Sequence, residues 1–145
     1  MDTQLANYFF SAASNAFQFL TIDKHFALPT LDVDDQINFA TVTFLGKNVA
    51  IECILDERDE DVDCKIARVV DGAKVLDYAV DKTGKRVRES LAALLRRRGL
   101  RDRIFHDVKG LALRYQITII LEDFALMLRT HASDILNDSP TMLDD

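Results

Sequence analysis

Glu52, Asp63 and Lys65 are the residues whose types and spacing most directly suggest chemistry. Two carboxylates beside an ammonium on one sheet face would hold Mg²⁺ and polarise a phosphate ester. A simpler reading makes Glu52 and Lys65 an ordinary cross-strand ion pair, and this reading is preferred.

Around that trio, charge is sorted by position. Residues 52–63 carry seven acids against the single base Arg58. Asp59, Asp61 and Asp63 alternate as ligands do in an EF-hand loop. Yet the sixth loop position is Cys64, where the bend needs glycine, and the twelfth is Val70, where the ion needs a bidentate glutamate. The spacing argues against calcium, and no metal is assigned. Asp56, Glu57, Asp59, Glu60 and Asp61 instead read as a solvated hairpin tip, which opposes edge aggregation and would steer a cationic partner.

Residues 82–103 carry nine bases, half of all Lys and Arg. Arg96, Arg97, Arg98, Arg101 and Arg103 cluster around one predicted helix end and form a candidate anion-binding site. Aromatic residues do not interleave with them, as stacking on single strands requires. The net charge is −6 and no RRM or zinc-finger signature is present, so nucleic acid is not the expected partner. The competing reading is a solvated helix face whose arginines pair with acids inside the fold, the acidic turn included.

Cys53 and Cys64 face each other in the predicted hairpin, where a reducing cytosol would leave two small buried thiols. His25, His106 and His131 lack zinc-ligand spacing. No serine sits in a Gly-x-Ser-x-Gly context, and no two glycines are close enough to cradle a phosphate. No catalytic residue and no cofactor is assigned.

The elements that must position these residues follow from periodicity. Leu5, Phe9, Ala12, Ala16, Phe19 and Leu20 predict a helix over 3–21, capped by Asp2 or Thr3. A loop follows through Pro29 and the acids of 32–35. The period then becomes two. Strands are predicted over 37–45 and 48–56, joined by Gly46-Lys47 as a two-residue turn. A third strand covers 61–70, Asp71-Gly72 is a tight turn, and a fourth strand covers 74–80. A symmetric loop over 57–60 pairs Leu55 with Val62, Cys53 with Cys64, Ile51 with Ile66 and Glu52 with Lys65. Ala40, Val42 and Phe44 share the apolar face. Val87, Leu91, Leu94 and Leu95 predict a helix over 84–98, closed by Gly99 in the left-handed position with Leu100 beyond it. A short helix over 102–109 and a long buried one over 111–135 complete the chain.

The expected fold is two-layer α+β. An N-terminal helix leads into an antiparallel meander of three to four strands, and two to three C-terminal helices pack on one face. The 145 residues suit one domain over 1–137 with a tail over 138–145. No apolar run approaches the roughly 20 residues that span a bilayer. Met1-Asp2-Thr3 lacks the basic start of a signal peptide. A cytoplasmic protein with no membrane partner is expected.

Two resemblances bear on function. Asp63-Cys64-Lys65 resembles the acid-x-Lys element of PD-(D/E)xK nucleases, whose core also opens with a helix and a three-strand meander. It implies a Mg²⁺-dependent nuclease, although Asp56 lies at a strand end and does not match the family's upstream aspartate. The layout of most of the chain resembles the small acidic immunity proteins that bacteria pair with toxins. That likeness rests on the helix exit from Phe19-Leu20 to Phe26 and on the strand Ala50-Ile51-Glu52-Cys53-Ile54-Leu55-Asp56-Glu57-Arg58-Asp59. A meander and a basic-tipped helix follow. It implies an inhibitor that occludes a toxin's active site, with residues 56–63 mimicking phosphates toward a nuclease toxin.

The leading expectation is therefore a non-enzymatic protein–protein interaction module that meets its partner, a toxin under the resemblance, through Asp56, Glu57, Asp59, Glu60 and Asp61. The nuclease comes second, and nucleic-acid or phosphate binding through the Arg96–Arg103 cluster third. The charges also allow a homodimer in which the acidic hairpin of one copy meets the basic helix of another.

Overall fold

The computed structural model describes residues 1–74, 82–100 and 106–137. Helix α1 (Thr3–Ala16) opens on Asp2, whose carboxylate accepts the Gln4 N–H at 3.1 Å. The expected single helix breaks at Phe17, and α2 (Gln18–Ile22) continues at a new angle. Phe17 leaves helical geometry at φ −104°, ψ 17°, and the Leu20 N–H donates to the Phe17 carbonyl in a tightened turn.

Among the described residues the sheet is antiparallel and has six strands, where three to four were expected. Its strands are β1 (Thr30–Asp34), β2 (Phe39–Leu45), β3 (Val49–Asp56), β4 (Asp61–Val70), β5 (Ala73–Lys74) and β6 (Arg88–Ser90). The path runs β1-β2-β3-β4-β5, and β6 also pairs with β4. Strand β1 was expected to be loop. Its residues alternate exposed Thr30, Asp32 and Asp34 with half-buried Leu31 and Val33, the pattern of an edge strand.

The middle hairpin has the expected register. Leu55 pairs with Val62, Cys53 with Cys64, Ile51 with Ile66 and Glu52 with Lys65. In the first hairpin Leu45 pairs with Ala50, so the turn centres on Lys47-Asn48 instead of Gly46-Lys47. That shift is by two in register and keeps every side chain on its face. Of the fourth strand, Ala73 and Lys74 pair with β4, and residues 75–80 lie outside the described set.

Helix α3 spans only Leu91–Arg97, not 84–98. Residues Arg88–Ser90 are extended instead, because β4 is long enough to pair with them beside β5. The Ser90 hydroxyl then starts the helix by accepting the Ala93 N–H at 3.1 Å. Gly99 ends it as expected, at φ +92°. Its N–H donates to Arg96 and that of Leu100 to Leu95, both at 3.0 Å, the paired bonds of a Schellman motif. Residues 106–110 are not helical, and 101–105 lie outside the described set. The last helical stretch divides at Ala132 into α4 (Leu113–His131) and α5 (Ser133–Leu136). The expected tail over 138–145 is not described.

Helix α1 packs on β2 and against α4, while α3 and α4 pack on β4. Ala40, Val42, Phe44, Ile51, Cys53, Leu55, Val62, Cys64 and Ile66 turn toward these helices and are buried with Phe9, Phe17 and Leu20. The fold is α+β, with helices on one face of the sheet. No helix among the described residues is long and apolar enough to cross a membrane.

Candidate functional site at the acidic end of the sheet

Pairing of Phe39 with Asp56 brings the β1–β2 turn and the β3–β4 turn to the same end of the sheet. The Glu57 N–H donates to the Asn38 carbonyl at 3.1 Å and ties the two turns together. Each turn is fixed by an aspartate that accepts from its own backbone. Asp34 takes the Gln36 N–H at 3.0 Å, and Asp56 takes those of Arg58 at 3.1 Å and Asp59 at 3.3 Å. Asn38 and Glu60 close the turns in the left-handed region, at φ 56° and 48°. Asparagine suits that region, whereas Glu60 is held there by the surrounding turn.

This end gathers Asp34, Asp35, Asp56, Glu57, Asp59, Glu60 and Asp61. Arg58, Asp59, Glu60 and Asp61 are exposed, while Asp56 and Glu57 are half-buried. The Met1 ammonium reaches Asp35 at 2.9 Å, and that contact raises the amine's pKa. Among the described residues, Asp56, Glu57, Asp59, Glu60 and Asp61 enter no ion pair. Ile37, 47% exposed, is the large apolar side chain beside them.

The basic segment folds elsewhere. Arg97 grips Glu89 through two hydrogen bonds at 3.2 and 2.8 Å, and Arg98 grips Asp134 at 3.1 and 2.6 Å. The Arg98 guanidinium holds the Asp134 carboxyl below its usual range. Arg96 is exposed, and Arg101 and Arg103 lie outside the described set. Arg97 and Arg98 thus find acids inside the fold, but not those of the acidic turn.

Glu52 and Lys65 are opposite in register, yet the expected ion pair between them is replaced. The buried Glu52 carboxylate receives Arg88 Nε and Nη2 at 3.0 Å each and Lys74 Nζ at 3.0 Å. Asp63 accepts the Cys64 N–H at 2.8 Å. No cluster of three or more His, Cys, Asp or Glu suited to a metal occurs among the described residues. Cys53 and Cys64 are free and buried, and their mutual hydrogen bond, with burial, pushes the Cys64 thiol up.

Burial also raises the pKa of Asp63. A carboxyl raised on folding contributes stability below its unfolded pKa of about 4, and that contribution is lost as pH rises through the folded value. At neutral pH the ionised Asp63 is therefore a burden. Asp63→Asn keeps an oxygen for the Cys64 N–H and is expected to raise the melting temperature near neutrality, with a smaller gain at acid pH. Thermal melts across pH check this, and an unchanged or lower neutral melting temperature would reject it.

Sequence reasoning also missed the pairing of Asp123 with His106. Asp123, buried on α4, accepts the His106 backbone N–H at 2.8 Å and faces its Nδ1 at 2.7 Å, while the His106 ring stays exposed. The acids Glu122-Asp123 within the apolar run of α4 were the available signal. The chain matches no protein-family model, no curated protein and no solved structure.

Proposed function

We propose that this chain is a non-enzymatic protein–protein interaction module whose acidic sheet end engages a cationic surface on another protein. The resemblance to immunity proteins makes a toxin the proposed partner. One observation carries the reading: five carboxylates share a turn-stiffened end with no ion pair among the described residues. Carboxylates held in fixed turns repel one another, and a cationic partner relieves that repulsion. Preset turns also reduce the ordering cost of association. Ile37 adds an apolar contact at the rim.

The nuclease reading has less support, since Arg88 and Lys74 occupy the Glu52 carboxylate. Anion binding by the arginines is weakened by the pairing of Arg97 and Arg98 with Glu89 and Asp134.

The test compares the wild-type chain with Asp59→Lys/Glu60→Lys/Asp61→Lys as bait in lysate of the source organism. A partner captured by wild type should associate with the variant at least about ten-fold more slowly, and the wild-type rate should fall with salt. If both baits capture the same proteins at the same rates, the acidic end is not the binding surface.

A further inference from the structure

Among the described residues, strand β1 ends the sheet, and its outer edge makes no hydrogen bond to any other element. An open edge is a template for another strand. Its two faces differ. Asp32 and Asp34 are exposed on the face away from the helices, while Leu31 and Val33 pack toward the core. Just before β1, Leu28 is 75% exposed and borders a groove of about 430 Å³ walled by Phe10, Ile22, Pro29 and Phe44. Ser14 also lines this groove, and its buried hydroxyl has no hydrogen-bond partner among the described residues.

We infer that β1 is a docking rail for an extended segment of a partner protein that alternates basic and apolar residues. This rests on the reading of the chain as a protein-binding module and adds a second surface to it. The basic side chains would lie over Asp32 and Asp34. The apolar ones would continue the row of Leu31 and Val33, and one would enter the groove beside Leu28. A second copy of this chain is a poor occupant, because antiparallel pairing of two β1 strands about Asp32 sets like charges side by side.

The probe is the hexapeptide Lys-Val-Lys-Val-Lys-Val, titrated into the full chain and followed by NMR and amide exchange. Perturbation centred on Thr30–Asp34, with slowed exchange of those amides, is expected. N-methylation of alternate peptide bonds should abolish binding, since it removes the strand's donors without changing charge. The Glu-Val counterpart and the Asp32→Lys/Asp34→Lys chain should each bind at least about ten-fold more weakly. The peptide controls keep the test valid if that variant folds poorly.

Absence of binding, or indifference to N-methylation, would overturn the inference. So would perturbation confined to residues 56–61, which would leave the acidic-end reading standing. Sedimentation as a dimer with β1 amides already protected would instead assign the edge to a second copy and overturn it as well.

Discussion

Replacing Glu52 with alanine is expected to destabilise the fold by about 3 kcal/mol, because it removes a buried carboxylate that two poorly hydrated cations share. Glu52 is 1% exposed at the centre of the sheet face that the helices leave open. Arg88 and Lys74, which cover it, are 22% and 20% exposed. Lys74 also donates to Thr43 Oγ1 at 2.8 Å, so the cluster touches β2, β3, β5 and β6. Breaking a buried pair on one side costs about 3–5 kcal/mol, and the partial exposure of the cations places this case at the low end. The short strands feel it most. Strand β6 is short: Arg88, Glu89 and Ser90 pair with β4, and the Arg68 N–H adds a bond to the Val87 carbonyl at 2.8 Å.

Urea unfolding should show a lower midpoint with an unchanged slope, and amides of Arg88–Ser90 should exchange faster. Glu52→Leu/Lys74→Met/Arg88→Met should recover most of the loss, since apolar replacement of a whole buried cluster is often neutral. A loss below about 1 kcal/mol for Glu52→Ala would mean that the cluster behaves as a solvated surface pair.

That cluster also marks where sequence stops being informative. The register of β3 on β4 was legible because a one-residue slip would send Cys53, Leu55, Val62 and Cys64 into water. Register places Lys65 opposite Glu52, but it does not decide which cation the carboxylate takes. Arg88 and Lys74 are long, lie on neighbouring short strands and reach Glu52 from the far edge of β4. Their distance in sequence hides them.

The same cause shortened the expected helix over 84–98. Val87, Leu91 and Leu94 fit helical spacing equally well when Arg88–Ser90 is a strand, and only the open edge of β4 decides between the two. Strand β1 was concealed by composition: Asp32 and Asp34 are poor strand formers, yet at an edge their charge is tolerated and discourages self-pairing. The acids of the β3–β4 turn could be read directly. Their meeting with Asp34, Asp35 and Ile37 could not, because it follows from pairing β1 with β2 and β2 with β3.

Phe17→Ala is expected to cost about 4 kcal/mol, within the range for deleting a fully buried aromatic ring. Phe17 is fully buried at the joint between α1 and α2. Its ring lies 5.7 Å from that of Phe44 on β2 and 6.1 Å from that of Phe19, over which Arg129 of α4 rests at 4.8 Å. Truncation therefore opens a cavity where two helices, the sheet and α4 converge. Phe17→Leu conserves most of the volume and should cost only about 1 kcal/mol. Urea midpoints of the two variants check the difference, and a loss under about 2 kcal/mol for alanine would mean that the joint collapses onto the cavity. The same pair separates folding from binding. Phe44 lies at the far end of β2 from Phe39, where the acidic turns are anchored. Below its melting temperature, the Phe17→Ala chain should bind a cationic partner with wild-type affinity per folded molecule. Charge reversal at Asp59, Glu60 and Asp61 should do the opposite, weakening binding while the midpoint hardly moves.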